Sequence, residues 1–194
     1  QENTKLVFCE SIGNPGLEVS DLPKISKIAH KNNLPLVVDA TFSTPVLCKP
    51  FDHGVDIVVH SVTKWMGGHG VAVGGVIVDG GAFDWGSSNK HPVLTTPYEP
   101  FHGINFWEEF GPSALSMKIR AESMRDLGPA MSPHSAFLLL QGIETLNLRM
   151  NQHVKNALKL AKWLLEQSAV MWVNHPDLPE NPTYEIAKEL FPNG

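Results

Sequence analysis

Only two cysteines occur, Cys9 and Cys48; they lack metal-ligand spacing and each sits beside apolar residues. They read as buried free thiols in a reducing compartment, so cytoplasm is the expected location. No apolar run is long enough to span a bilayer, and no signal-peptide pattern opens the chain. Positive charge is scarce. Fifteen Lys and Arg against 20 Asp and Glu leave a net charge of -5, which gives no reason to expect nucleic acid or an anionic membrane as partner. The initiator Met is missing too, and the chain ends on the turn-like Pro192-Asn193-Gly194, so a fragment of a longer protein is expected. There is no internal repeat and no low-complexity segment. What is present is an ordinary globular composition, 42% hydrophobic and 18% charged over 194 residues, enough for one large domain and the start of another.

The first half alternates strand and helix signals. Leu6-Val7-Phe8-Cys9 is a short apolar run closed by the turn signal Gly13-Asn14-Pro15-Gly16. Ser20 is the predicted cap of a helix whose inner face carries Leu22, Ile25, Ile28 and Ala29. Leu36-Val37-Val38 and Val55 with Ile57-Val58-Val59 are further buried runs, and the Pro-punctuated Thr41 to Gly54 between them has room for a short helix. Gly75-Val76-Ile77-Val78 is the fourth run. Consecutive apolar positions fit strands covered on both faces, which predicts an α/β fold with a mainly parallel sheet between helices. Phe83 to Phe110, rich in Gly, Pro, His and aromatics, reads as a long surface excursion, a subunit contact or substrate lid. Helical patterning resumes over Ser113–Leu127 and Pro133–Gln141, then over Ile143–Gln167 as one long amphipathic helix. A strand-like Val170-Met171-Trp172-Val173 follows. These divisions predict a large domain over 1–142, a connecting helix over 143–168 and the start of a smaller domain over 169–194.

Ligands of a parallel sheet bind beyond the carboxyl ends of its strands. The first predicted strand ends toward Glu10, Ser11 and Asn14, the second in Asp39 followed by Thr41, and the third in Ser61, Thr63 and Lys64. A carboxylate, an amine and hydroxyls on one edge suit a phosphorylated pyridine aldehyde. An uncharged lysine forms an imine with the aldehyde. A carboxylate facing the pyridine nitrogen keeps it protonated, and hydroxyls donate to phosphate. Taken singly, each has a plain alternative: Lys64 a solvated charge, Asp39 and Asn14 turn residues, Ser61 and Thr63 strand-end hydroxyls. A nucleotide-binding sheet is the weaker reading of the same strand order, because no Gly-rich fingerprint follows the first strand.

Ser61-Val62-Thr63-Lys64-Trp65-Met66-Gly67-Gly68-His69-Gly70 resembles the cofactor-lysine motif of the Cys/Met-metabolism pyridoxal-phosphate (PLP) enzyme family, the cystathionine γ-synthase-like group. Val37-Val38-Asp39-Ala40-Thr41-Phe42-Ser43-Thr44-Pro45 resembles its aspartate motif, and Glu10-Ser11-Ile12-Gly13-Asn14-Pro15 its Asn-Pro segment. Within the family, Ser11 to Gly16, Asp79-Gly80-Gly81 leading to Phe83-Asp84-Trp85, and His102-Gly103 are most similar to O-acetylhomoserine sulfhydrylases. The resemblance implies an aspartate-aminotransferase-like (type I) fold with pyridoxal 5'-phosphate as cofactor. Lys64 would carry it as a Schiff base, Asp39 would face the pyridine nitrogen, and Asn14 would lie at the ring oxygen. Thr41 would lie near the ring, and Ser61 and Thr63 at the phosphate. Ala40 stands where the family commonly has Asn.

The implied reaction is γ-replacement on O-acetylhomoserine with sulfide or a small thiol, giving homocysteine or methionine plus acetate. A γ-lyase or a transsulfuration enzyme keeps the same cofactor, and a catalytically incomplete binding or assembly domain is the reading from another class. Shared sites imply a homo-oligomer, at least a dimer and commonly a tetramer. The family's phosphate loop, ring-stacking Tyr and substrate-carboxylate Arg fall outside this chain. Arg120, Arg125 and Arg149 have helical settings that predict surface or salt-bridge roles. His60 is expected to be packed and hydrogen-bonded rather than a proton shuttle.

Overall fold

The computed structural model describes residues 1–194. The short apolar runs form four strands, β1 (Val7–Glu10), β2 (Leu36–Asp39), β3 (Ile57–Ser61) and β4 (Gly75–Asp79), in the order β1-β2-β3-β4. β1, β2 and β3 are parallel, with Glu10 opposite Asp39 and Asp39 opposite Val59. β4 departs from the parallel expectation and runs antiparallel to β3, Ser61 facing Gly75. The physical reason is the connection. A parallel return needs a crossover, usually a helix, whereas the residues between Ser61 and Gly75 form turns and irregular chain with no helix. Burial on both faces holds for β2, whose Leu36, Val37 and Val38 are at most 8% exposed. It fails for β4, where Val76, Ile77 and Val78 stand 39%, 55% and 39% exposed.

Along β2 the side chains alternate between two cores, as a period of two requires. Leu36 and Val38 join a core with Leu22 and Ala29 of α1 (Leu22–Lys31), and Val37 joins a second core on the other face with Ile57, Trp85, Leu94 and Phe106. The cap of α1 is Asp21 rather than Ser20: its Oδ1 accepts the Lys24 N–H at 3.0 Å. A carboxylate there also complements the positive end of the helix. Ile28 lies 56% exposed instead of inside. At about 100° per residue, the six-residue step from Leu22 carries it off the buried face. The Pro-punctuated stretch holds α2 (Thr44–Leu47) and a 3-10 turn, Pro50–His53.

The excursion from Phe83 to Phe110 is less peripheral than expected. It folds through 3-10 turns and two short helices, α3 (Pro92–Thr95) and α4 (Phe106–Phe110), and places Trp85, Leu94 and Phe106 in the second core. Aromatic bulk compensates for the missing periodicity. α5 (Ala114–Lys118) continues through a π-helical turn, Ile119–Met124, into α6 (Arg125–Leu127). α7 (Pro133–Glu144) is capped by Ser132, whose Oγ accepts the Ser135 N–H at 3.1 Å.

The predicted helix over Ile143–Gln167 is divided at Thr145: Ile143 ends in α7, and α8 is Leu146–Leu165. Arg149 spans the break, donating through Nε to Thr145 Oγ1 at 3.1 Å and through Nη2 to the Gly142 carbonyl at 2.7 Å. One side chain thereby satisfies a carbonyl that the end of α7 leaves without a helical partner. Val170–Val173 forms no strand, and Met171 and Trp172 are 95% and 75% exposed. The ordered element of the tail is α9 (Tyr184–Leu190), whose Ala187 and Leu190, with Phe191, pack into the first core.

Candidate active site

Because β1, β2 and β3 run the same way, their carboxyl ends open on one edge of the sheet. A cleft of about 610 Å³ lies there, lined by Asn14, Asp39, Thr41, Ser61 and Lys64 together with Phe42 and Trp65. Each polar group is delivered by a specific local device. Asp39 is the last residue of β2, and its Oδ1 accepts the Thr41 N–H at 2.8 Å. Thr41 Oγ1 in turn accepts the Ser61 N–H at 2.8 Å, which ties the ends of β2 and β3 together. Asn14 stands on the loop after β1, where its N–H donates to Glu10 Oε2 at 3.2 Å and its bond to Pro15 is cis.

Lys64 sits in a tight turn immediately after β3. Its N–H donates to the Ser61 carbonyl at 3.1 Å, and its carbonyl accepts the Gly68 N–H at 2.8 Å. The lysine is exposed into the cleft. Thr63 is the one predicted site residue that does not line it. Its hydroxyl donates to the Gly74 carbonyl at 3.2 Å and accepts the Gly74 N–H at 2.9 Å. β3 ends at Ser61, so the alternation that would put Ser61 and Thr63 on one face stops before Thr63.

Sequence reasoning missed Phe42 and Trp65 as cleft walls. Trp65 packs against the His153 ring at 4.9 Å, a contact between segments far apart in the chain that no local pattern announces. His60, the histidine nearest Lys64 in sequence, is withdrawn into the sheet at 6% exposure and pairs opposite Val76. Its Nδ1 has no hydrogen-bond partner, contrary to the expectation of a satisfied histidine.

Burial pushes the His60 imidazole below its usual 6.5, with the Ala40 backbone and the Asp39 carboxylate opposing. Burial likewise pushes His175 down, against Asp177. A histidine held neutral in the fold takes up its proton more readily when unfolded. Its contribution is therefore present above the unfolded value of 6.5 and is lost as pH falls toward the lower folded value. The melting temperature is expected to drop between about pH 7 and about pH 5, and His60→Gln should flatten part of that slope. Equal slopes in variant and wild type would exclude His60 as a source.

The sequence profile of the Cys/Met metabolism PLP-dependent enzymes matches residues 1–194. The chain belongs to that family. It is 50% identical over 195 residues to the homocysteine/cysteine synthase of Kluyveromyces lactis, covering all of this chain and 44% of the yeast protein. It is 44% identical over 201 residues to the O-acetyl-L-homoserine sulfhydrylase of Leptospira meyeri, covering all of this chain and 45% of that protein. A Campylobacter jejuni crystal structure carrying N'-pyridoxyl-lysine-5'-monophosphate superposes with a TM-score of 0.93 at 35% identity, over 98% of this chain and 47% of that one. The chain thus spans less than half the length of these relatives, and its α/β architecture is that of the type I PLP enzymes.

The cofactor of this family is pyridoxal 5'-phosphate. The donor set of the cleft fits it. Asp39 provides a carboxylate, Lys64 an amine, Asn14 an amide, and Ser61 and Thr41 hydroxyls, all around one cavity that Phe42 and Trp65 also line. No helix of this PLP-family chain is long and apolar enough to cross a membrane.

Proposed function

We propose that the protein to which this chain belongs binds pyridoxal 5'-phosphate through Lys64 and performs γ-replacement on O-acetylhomoserine. Sulfide or a small thiol displaces acetate, and the product is homocysteine or methionine. The observation that carries the reading is the presence of Asp39 and Lys64 on the walls of one cleft at the carboxyl edge of the parallel strands. The names of the relatives, a homocysteine/cysteine synthase and an O-acetyl-L-homoserine sulfhydrylase, support the choice of reaction within the family.

When bound, the cofactor supplies an aldehyde that captures the substrate amine and a pyridine ring that accepts electrons from Cα. The chain's own residues do the rest. Lys64 would hold the cofactor through its amine, and as a free amine its Nζ would take the Cα proton and return protons to neighbouring carbons. The Asp39 carboxylate, oriented by the Thr41 N–H, would face the ring nitrogen and favour its protonated form. Asn14 would donate to the ring oxygen, Thr41 would lie near the ring, and Ser61 would donate to the phosphate. Phe42 and Trp65 add apolar wall to the cleft. Thr63 acts one step removed, by fixing the Gly74 backbone beside the lysine turn. A homo-oligomer with sites shared between subunits belongs to the same reading, with an amino acid and sulfide or a thiol as its small-molecule partners.

The test is a product assay on the full-length protein. O-Acetylhomoserine with sulfide should yield homocysteine and acetate, while methionine or cystathionine alone should yield no 2-oxobutanoate and ammonia. Release of those two products from methionine or cystathionine, without replacement activity, overturns γ-replacement in favour of a lyase.

A further inference from the structure

A lysine that must move between a bound cofactor and a free amine needs a turn that holds its backbone while the side chain swings. In this chain the turn is held from outside. Arg149 of α8 donates through Nη1 to the Trp65 carbonyl at 2.8 Å, and its Nη2 approaches the Met66 carbonyl at 3.4 Å. The same guanidinium bonds the Gly142 carbonyl of α7 at 2.7 Å and Thr145 Oγ1 at 3.1 Å. Three carbonyls and a hydroxyl from two distant segments therefore converge on one planar, permanently charged fork. A lysine ammonium cannot copy that geometry.

The backbone around the fork has room for nothing else. A Cβ on Gly68, itself at φ +70°, would come within 2.7 Å of the Arg149 guanidinium carbon, and a Cβ on Gly142 would run into the Gly67 carbonyl. A Cβ on Gly67 would come within 2.8 Å of Leu139 Cδ2 of α7. The turn after Lys64 is thus built as an inlay on the α7–α8 junction, with glycine at the contact points and arginine as the fastener.

We propose that Arg149 is a positioning residue for Lys64: it locks the Trp65–Gly68 turn to the α7–α8 break and so fixes where the lysine backbone stands relative to Asp39. The inference rests on Lys64 as the cofactor lysine, and it assigns a role to an arginine that does not line the cleft. The break at Thr145 then has a purpose. An uninterrupted helix would satisfy the Gly142 carbonyl internally and leave the guanidinium without one of its anchors.

The test uses full-length wild type, Arg149→Ala, Arg149→Lys and Thr145→Val. The turn itself is read without cofactor, by hydrogen exchange at the Gly67 and Gly68 amides, which are bonded to the Val62 and Lys64 carbonyls at 2.8 Å each. In Arg149→Ala these amides should exchange at least about tenfold faster, and pyridoxal-phosphate affinity should fall by a similar factor, as expected for losing charge-assisted hydrogen bonds. Arg149→Lys should recover part of both, and the melting temperature should move little. Exchange and affinity within about twofold of wild type in Arg149→Ala overturn the proposal. Should Arg149→Ala unfold, Thr145→Val decides: it removes the hydroxyl that orients Nε and also donates to the Gly142 carbonyl at 3.3 Å, and it leaves the guanidinium in place. Local loosening at Gly67 and Gly68 supports the clamp, and unchanged exchange there overturns it. Borohydride fixation of the cofactor on a lysine other than Lys64 in wild type would instead refute the cofactor assignment, a result separable from the exchange data.

Discussion

Lys64→Ala in the full-length protein should leave no pyridoxyl group fixed to the chain by borohydride, no absorbance from a lysine Schiff base, and turnover lower by at least about a thousandfold. The size of the effect follows from the two tasks that one amine performs. On the proposed reading it would form the covalent link that holds the cofactor, and after release it would serve as the base at the substrate Cα. Loss of a positioned acid or base alone is worth roughly a hundred- to ten-thousandfold. The fold should survive, because Lys64 is exposed and its side chain makes no hydrogen bond or ion pair within the chain. An unchanged melting temperature with lost fixation would place the defect in chemistry. Ordinary turnover in the variant would sink the assignment, whatever the likeness of the surrounding residues.

The parts of the site set by strand ends were legible in the sequence. Leu36-Val37-Val38-Asp39 announces both a buried strand and the carboxylate at its end, and the structure ties Asp39 to Ser61 through two hydrogen bonds that meet at Thr41. Motif likeness singled out Lys64, but only the parallel register explains why it shares a cleft with Asn14 and Asp39. What was not legible depended on partners far along the chain. β4 carries the same apolar pattern as its neighbours, yet its direction is decided by the helix-free turns before it. The break at Thr145 is invisible in a sequence whose apolar positions continue at helical spacing, because its cause lies in the Lys64 turn and in Arg149. The Phe83–Phe110 segment looked peripheral for lack of a period, and it is Trp85, Leu94 and Phe106 packing on Val37 and Ile57 that make it core.

Asp39→Asn should retain the shape of the site and remove its charge. The Asn Oδ1 can still accept the Thr41 N–H that Asp39 Oδ1 accepts at 2.8 Å, so the tie from β2 to β3 through Thr41 and Ser61 persists. What is lost is the anion that, on the proposed reading, would face the ring nitrogen. An opposite charge at close range shifts a titrating partner by roughly one to three pKa units in favour of its charged form, so without it the pyridine nitrogen gives up its proton near neutral pH. A neutral ring accepts carbanion electrons poorly, and turnover should fall about a hundredfold or more while the Lys64 linkage still forms. A cofactor analogue methylated at the ring nitrogen carries the positive charge permanently and should restore part of the rate in Asp39→Asn. Wild-type turnover in the variant, or a loss that the methylated analogue leaves untouched, would mean that the carboxylate at the end of β2 serves the backbone of its own turn and not the ring.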